Sequence, residues 1–180
     1  MYLHREQQII GWGIERNILG VTGEGSLHGQ SLKTIEELNE MNEAIDAGDD
    51  DLLRDAIGDV YVTLVMLAYL GGVTLGKIID SYARPDRNIV ARMILTPNSE
   101  TGLLVLRLNS SLQAMEIDDG IECIRNMEKC LNDIYYHIGI QAAFNGMTME
   151  ECVDAAWNEI KDRKGRMVHG IFVKEPPKVP

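Results

Sequence analysis

The stretch that decides the fold is Lys33-Thr34-Ile35-Glu36-Glu37-Leu38-Asn39-Glu40-Met41-Asn42-Glu43. It is followed, past a Gly48-Asp49-Asp50 turn, by Asp55-Ala56-Ile57-Gly58-Asp59 and a charge-free run from Val60 to Leu70. Acids in the first part recur three and four apart, a spacing that stacks side chains across one helical turn. Glu36 and Glu37 therefore both reach Glu40. Asp55 and Asp59 are neighbours in the same sense and share a stripe with Val62 and Met66. The run after Asp59 is apolar almost all round, which predicts a buried helix. Asp49, Asp50 and Asp51 suit its N-cap and first turn, where backbone N–H groups lack partners and the helix dipole favours negative charge. Two helices joined by so short a turn lie antiparallel, and each rises about 1.5 Å per residue. Glu37 and Glu40, centred about ten residues before the turn, then come level with Asp59, about ten residues after it.

A carboxylate on a buried helix is costly unless it is paired or holds a metal. The only cation on this helix is Arg54, which points away from Asp55. Facing glutamates add repulsion, which a hard divalent cation relieves. An all-oxygen donor set without His or Cys suits Mg²⁺ or Mn²⁺ rather than zinc. Glu37, Glu40, Asp55 and Asp59 are the candidate metal ligands, while a solvated acidic face remains the plainer account of Glu36, Glu40 and Glu43 taken alone.

Proline placement extends the reading outward. Residues 1–84 and 98–175 contain no proline, so long helices are permitted in both blocks. The first block reads as a helix from about Leu3 to Leu19, a glycine-rich loop from Gly20 to Gly29, a helix from about Gln30 to Ala47 and one from about Asp51 to Leu70. The loop lacks the Gly-Lys-Ser/Thr ending and preceding strand of a phosphate loop and reads as a mobile connection. The second block predicts helices from about Thr101 to Met115 and Gly120 to Phe144, and a last one from Thr148, where Glu151 completes a capping box. Residues 84–100 are compatible with a short helix or an extended segment. The expected architecture is all-α, a helical bundle built on the antiparallel hairpin. Residues 1–175 form one domain, with a core of 1–75 and 119–167 and an extension at about 80–118; 171–180 is an extended C-terminal arm. The apolar third helix offers more surface than a small bundle readily covers, which points to a homodimer or homotetramer.

Composition limits the partners. The chain has 180 residues, with 28 Asp and Glu against 17 Lys and Arg, a net charge of −11, and 45% hydrophobic content. That content excludes wholesale disorder. The acid surplus disfavours nucleic acid and anionic membranes, so a phosphate-bearing partner needs a metal or a local basic patch. Such a patch exists at Lys161, Arg163, Lys164 and Arg166, although cations there also suit a helix C-terminus with Gly165 just beyond it. Lys33 either pairs with Glu36 or Glu37 or meets a phosphate. Trp12 either stacks on a base or packs in the core. Val60 to Val73 falls short of the ~20 residues of a membrane span. Cys123, Cys130 and Cys152 have no metal-type spacing, and no secretory signal is visible, so a cytoplasmic setting is expected.

Glu36-Glu37-Leu38-Asn39-Glu40 resembles the Glu-Glu-x-x-Glu element of the all-α nucleoside triphosphate pyrophosphohydrolases, the superfamily of MazG, dimeric dUTPases and phosphoribosyl-ATP pyrophosphohydrolase. In that family a Glu-x-x-Asp element follows. Here Asp59 matches the aspartate, Ala56 stands in place of the glutamate, and Asp55 precedes it. The closer resemblance is to the MazG-like proteins common in bacteriophage genomes, several of which carry an Asp-x-Ile-Gly-Asp form. The likeness extends to Trp12, Arg16-Asn17, Gln30-x-x-Lys33 and Asn158-x-x-Lys161-x-Arg163-Lys164-Gly165.

The resemblance implies a MazG-like fold, an oligomer and Mg²⁺-dependent hydrolysis of an NTP or dNTP to the NMP and pyrophosphate. Glu37, Glu40 and Asp59, with Asp55 as provisional fourth, hold the cation. Glu36 is a candidate base, and Lys33, Asn158, Lys161, Arg163, Lys164 and Trp12 contact substrate. Phosphoribosyl-ATP hydrolysis fits less well, because the chain is longer and departs from the strict acid pattern. The alternative is a nucleotide-binding or helical oligomerisation module without catalysis, which Ala56 favours.

Overall fold

The computed structural model describes residues 2–117, 120–169 and 171–175. Among these, eight helices run in the order α1 (Tyr2–Glu15), α2 (Leu27–Ala47), α3 (Asp50–Leu70), α4 (Leu75–Ser81), α5 (Arg87–Leu95), α6 (Pro97–Ile117), α7 (Ile121–Phe144) and α8 (Met149–Ile160), followed by strands β1 (Gly165–Val168) and β2 (Ile171–Lys174). The all-α expectation holds apart from this one two-stranded antiparallel ribbon.

The α2–α3 hairpin forms as its local chemistry dictates. Gly48 ends α2 with φ 64°, a left-handed conformation that glycine adopts without strain. Asp49 caps α3 by accepting from the amides of Asp51 and Leu52. Ser26 caps α2 through the amide of Gly29, starting that helix three residues earlier than expected. Thr148 and Glu151 form the predicted capping box of α8.

Helix α3 is the axis of the molecule. Every residue from Ala56 to Ala68 except Asp59 is buried, because α1, α2, α7 and α8 pack around it. The apolar surface expected to call for a second copy is thus covered by the chain itself. Gly58 sets how closely α8 approaches: a Cβ there would strike the Cys152 carbonyl and lie 2.7 Å from the Ala156 Cβ. No single helix among the described residues is long and apolar enough to cross a membrane.

Three expectations are corrected. Helix α1 ends at Glu15, and the segment after it is tied down, since the amides of Ile18 and Leu19 both donate to the Gly13 carbonyl and both side chains are buried. The glycine-rich stretch is therefore anchored at its start rather than a free mobile loop. Residues 80–117 are built into the body: α5 and α6 pack on α7, and Leu104, Leu108 and Leu112 of α6 are buried at successive turns. Leu103 and Leu106 of the same helix stay exposed. The segment read as a C-terminal arm is extended, but through Lys174 it pairs with β1; its residues 176–180, like the junction at 118–119, lie outside the described residues.

Candidate metal and nucleotide site

The hairpin brings its acids to one cavity of about 260 Å³, lined by Lys33, Glu36, Glu37 and Glu40 from α2 and by Asp59, Val62, Thr63 and Met66 from α3. Trp12, Ile18, Gln30 and Ile160 add to its walls, and Arg163, Phe172 and Lys174 come from beyond α8. The level meeting of Glu37, Glu40 and Asp59 predicted from helix rise is thus present.

Asp55 is engaged elsewhere. Carboxylate oxygens of Asp55, Asp59 and Glu159 all lie within 4.8 Å of one another. Glu159 stands one turn beyond Ala156, the residue that α8 presses against Gly58, so the close α3–α8 approach delivers it. It was missed because nothing in the spacing of α8 relates Glu159 to α3; only that packing does.

The electrostatics are those of crowded acids. Desolvation raises Asp59 to about 7, reinforced by Glu37, Asp55 and Glu159 and opposed by Arg163. Glu37, 8% exposed, is raised by desolvation and by its acidic neighbours, against the pull of Lys33. Asp55 is raised by desolvation and by the neighbouring Glu159. This donor set fits a divalent cation: oxygens at such separations can share one hard ion, and the ion offsets the repulsion among them.

The cations are unevenly placed. Lys33 Nζ sits 2.8 Å from Glu36 and 3.3 Å from Glu37, so the intrahelical pairing and the cavity position both hold. Arg163 pairs with Glu159 and lines the cavity. Asn158 and Lys161 bond to each other at 2.9 Å, both exposed, and line neither cavity described here. Lys164 lines a broader groove of about 620 Å³ with Arg16 and Arg166. The structure therefore brings Arg163, but not Asn158, Lys161 or Lys164, to the acids. The last turn of α8 holds no cation and Lys161 is its C-cap residue; Arg16, just past the end of α1, donates to Arg163 O at 2.8 Å and Lys161 O at 3.0 Å. Gly165 opens β1 instead of closing a helix.

Trp12 packs in the core at 6% exposure, one of its two expected roles, and also borders the cavity. The Arg16 guanidinium lies 4.7 Å over its ring, and Phe172 meets it edge-on at 5.4 Å. The cysteines are free thiols, and burial raises Cys130 to about 12 and Cys152 to about 11, which leaves them inert as nucleophiles.

No curated protein and no solved structure matches the chain. Residues 28–84 match the family model of the MazG nucleotide pyrophosphohydrolase domain, a span that takes in α2, α3 and α4 with the acids from Glu36 to Asp59. Members of that family are generally dependent on a divalent metal. The segment that builds the acidic hairpin, under a third of the chain, is thus similar to a MazG nucleotide pyrophosphohydrolase domain.

Proposed function

We propose that the cavity binds a nucleoside triphosphate with Mg²⁺ and that the chain cleaves it to the nucleoside monophosphate and pyrophosphate. The observation that carries this is the convergence of Glu37, Glu40 and Asp59 with Lys33 and Arg163 around one cavity. Acids alone would repel a polyphosphate and cations alone would not hold a metal, so the pairing favours a metal-bound phosphate ligand. Asp59, Asp55 and Glu159 would hold the cation, with Glu37 and Glu40 facing it from α2. The cation supplies charge neutralisation and activation of water.

The chain's own residues do the rest. Glu36, exposed and held by Lys33 at 2.8 Å, is placed to accept a proton at a carboxylate oxygen. Arg163 and Lys33 offset charge on the departing pyrophosphate. Ile18, Val62 and Met66 provide an apolar surface for the nucleoside. The free thiols support a reducing, cytoplasmic setting.

The test is to incubate the protein with each NTP and dNTP and Mg²⁺ and measure pyrophosphate release. Turnover of at least one nucleotide, lowered at least about a hundredfold by Glu40→Gln, is expected. Metal-dependent nucleotide binding without turnover would favour the non-catalytic module to which Ala56 points.

A further inference from the structure

The three cations of the cavity are not equally available to a ligand. Lys33 is occupied by two glutamates at 2.8 and 3.3 Å, and Arg163 is paired with Glu159 on the preceding turn. Lys174 has only a 3.9 Å approach to that same glutamate, and its side chain is 64% exposed. A polyphosphate brings more negative charge than the two committed cations can meet without breaking their ion pairs. Lys174 can turn to it at almost no cost.

Lys174 and Phe172 are two apart on β2, so the pleat points both to one face while Val173 points to the other. Both line the cavity, and Val173 is 46% exposed. The register places Gly165 of β1 opposite Lys174. A Cβ at Gly165 would collide with the Phe172 ring and the Val173 carbonyl. A glycine there leaves room for the ring, which also meets Trp12 edge-on. The ribbon is thus fitted to α1 and presents one aromatic and one cationic residue to the same space as the acids. It lies outside the segment 28–84 that the family accounts for.

We propose that the β1–β2 ribbon is a wall of the nucleotide site, Lys174 contacting the phosphates and Phe172 bounding the nucleoside. The proposal rests on the nucleotide reading above. Its consequence is a division of labour: Lys174 responds to phosphate number, and Phe172 responds to the nucleoside whatever the number of phosphates.

The experiment is calorimetric titration of the whole chain, in Mg²⁺, with a dNTP carrying an α,β-methylene bridge and with the corresponding monophosphate. Lys174→Gln should weaken the triphosphate analogue at least about tenfold and the monophosphate by no more than about twofold, and Lys174→Arg should recover most of the loss. Phe172→Leu should weaken both ligands by a similar factor, about fivefold. Circular dichroism of each variant reports whether the fold is retained, and Lys174, being exposed, can be changed without disturbing it. If the parent chain binds and Lys174→Gln binds both ligands as tightly, the ribbon is not a phosphate wall, although the nucleotide reading stands. If the parent chain binds neither ligand, both fall.

Discussion

Two interiors of this molecule handle buried polarity in opposite ways. Between α6 and α7, His137 is fully buried, bonds to Thr101 at 2.9 Å, and is lowered by burial to about 4, so its ring is neutral. Nearby, Gln141 donates to the Met93 carbonyl and Asn132 to the Ala83 carbonyl, tying α7 to the segment before α6. Between α3 and α8, by contrast, Asp55, Asp59 and Glu159 are like charges held together, and Asp59 also meets Glu37 of α2. Neutral polar pairs fix how helices dock, although His137 Nδ1 and Asn132 Oδ1 keep no partner among the described residues. Crowded carboxylates are kept together by the surrounding packing and Arg163, and their repulsion is energy that a cation can release on binding.

The largest expected effect breaks this contrast at its acidic end. Asp59→Asn removes a charge needed by the ligand but unwelcome to the metal-free fold. Pyrophosphate release should fall by about a thousandfold or more, while thermal unfolding without metal should show the variant more stable, by about 1 kcal/mol. Lower stability in the metal-free variant would mean that Asp59 is held by partners rather than by packing. At the neutral end the sign reverses. His137→Ala leaves a cavity and an unpaired Thr101 hydroxyl, and should cost about 3 kcal/mol in denaturant unfolding with Mg²⁺ affinity unchanged.

The smallest effect is one of pH. Asp59 has a folded value of about 7 against an ordinary 3.8, so between those values the folded chain binds the proton more tightly than the unfolded one. Metal-free stability is then fully present below about pH 4 and declines as pH rises through 7, by about 2 kcal/mol after allowing for solvent screening. Mg²⁺ should restore it, with an affinity that grows over the same interval as the competing proton leaves. His137, at about 4 against an ordinary 6.5, acts with the opposite sign, its contribution rising between pH 4 and 6.5 as the unfolded ring loses its proton. The Asp59 decline is therefore read as the difference between the parent chain and Asp59→Asn, and equal pH slopes for the two would contradict it.

What was legible in the sequence was whatever depends on residues near one another in the chain. Acid spacings of three and four, the Gly48 stop, the Asp49 cap and the charge-free run from Val60 set the hairpin and the level of Glu37, Glu40 and Asp59, because helix geometry converts separation along the chain into height. The Thr148 cap was readable for the same reason. Tertiary structure alone decided the rest. Glu159 joins Asp55 and Asp59 because Gly58 lets α8 lie against α3. Arg16 serves the end of α8 across 145 or more residues of chain. Phe172 and Lys174 reach the cavity because residues 171–174 pair with 165–168 instead of trailing free. Local rules set each helix and its caps; contacts across long stretches of chain depend on which surfaces fit, and that complementarity is a property of the folded whole.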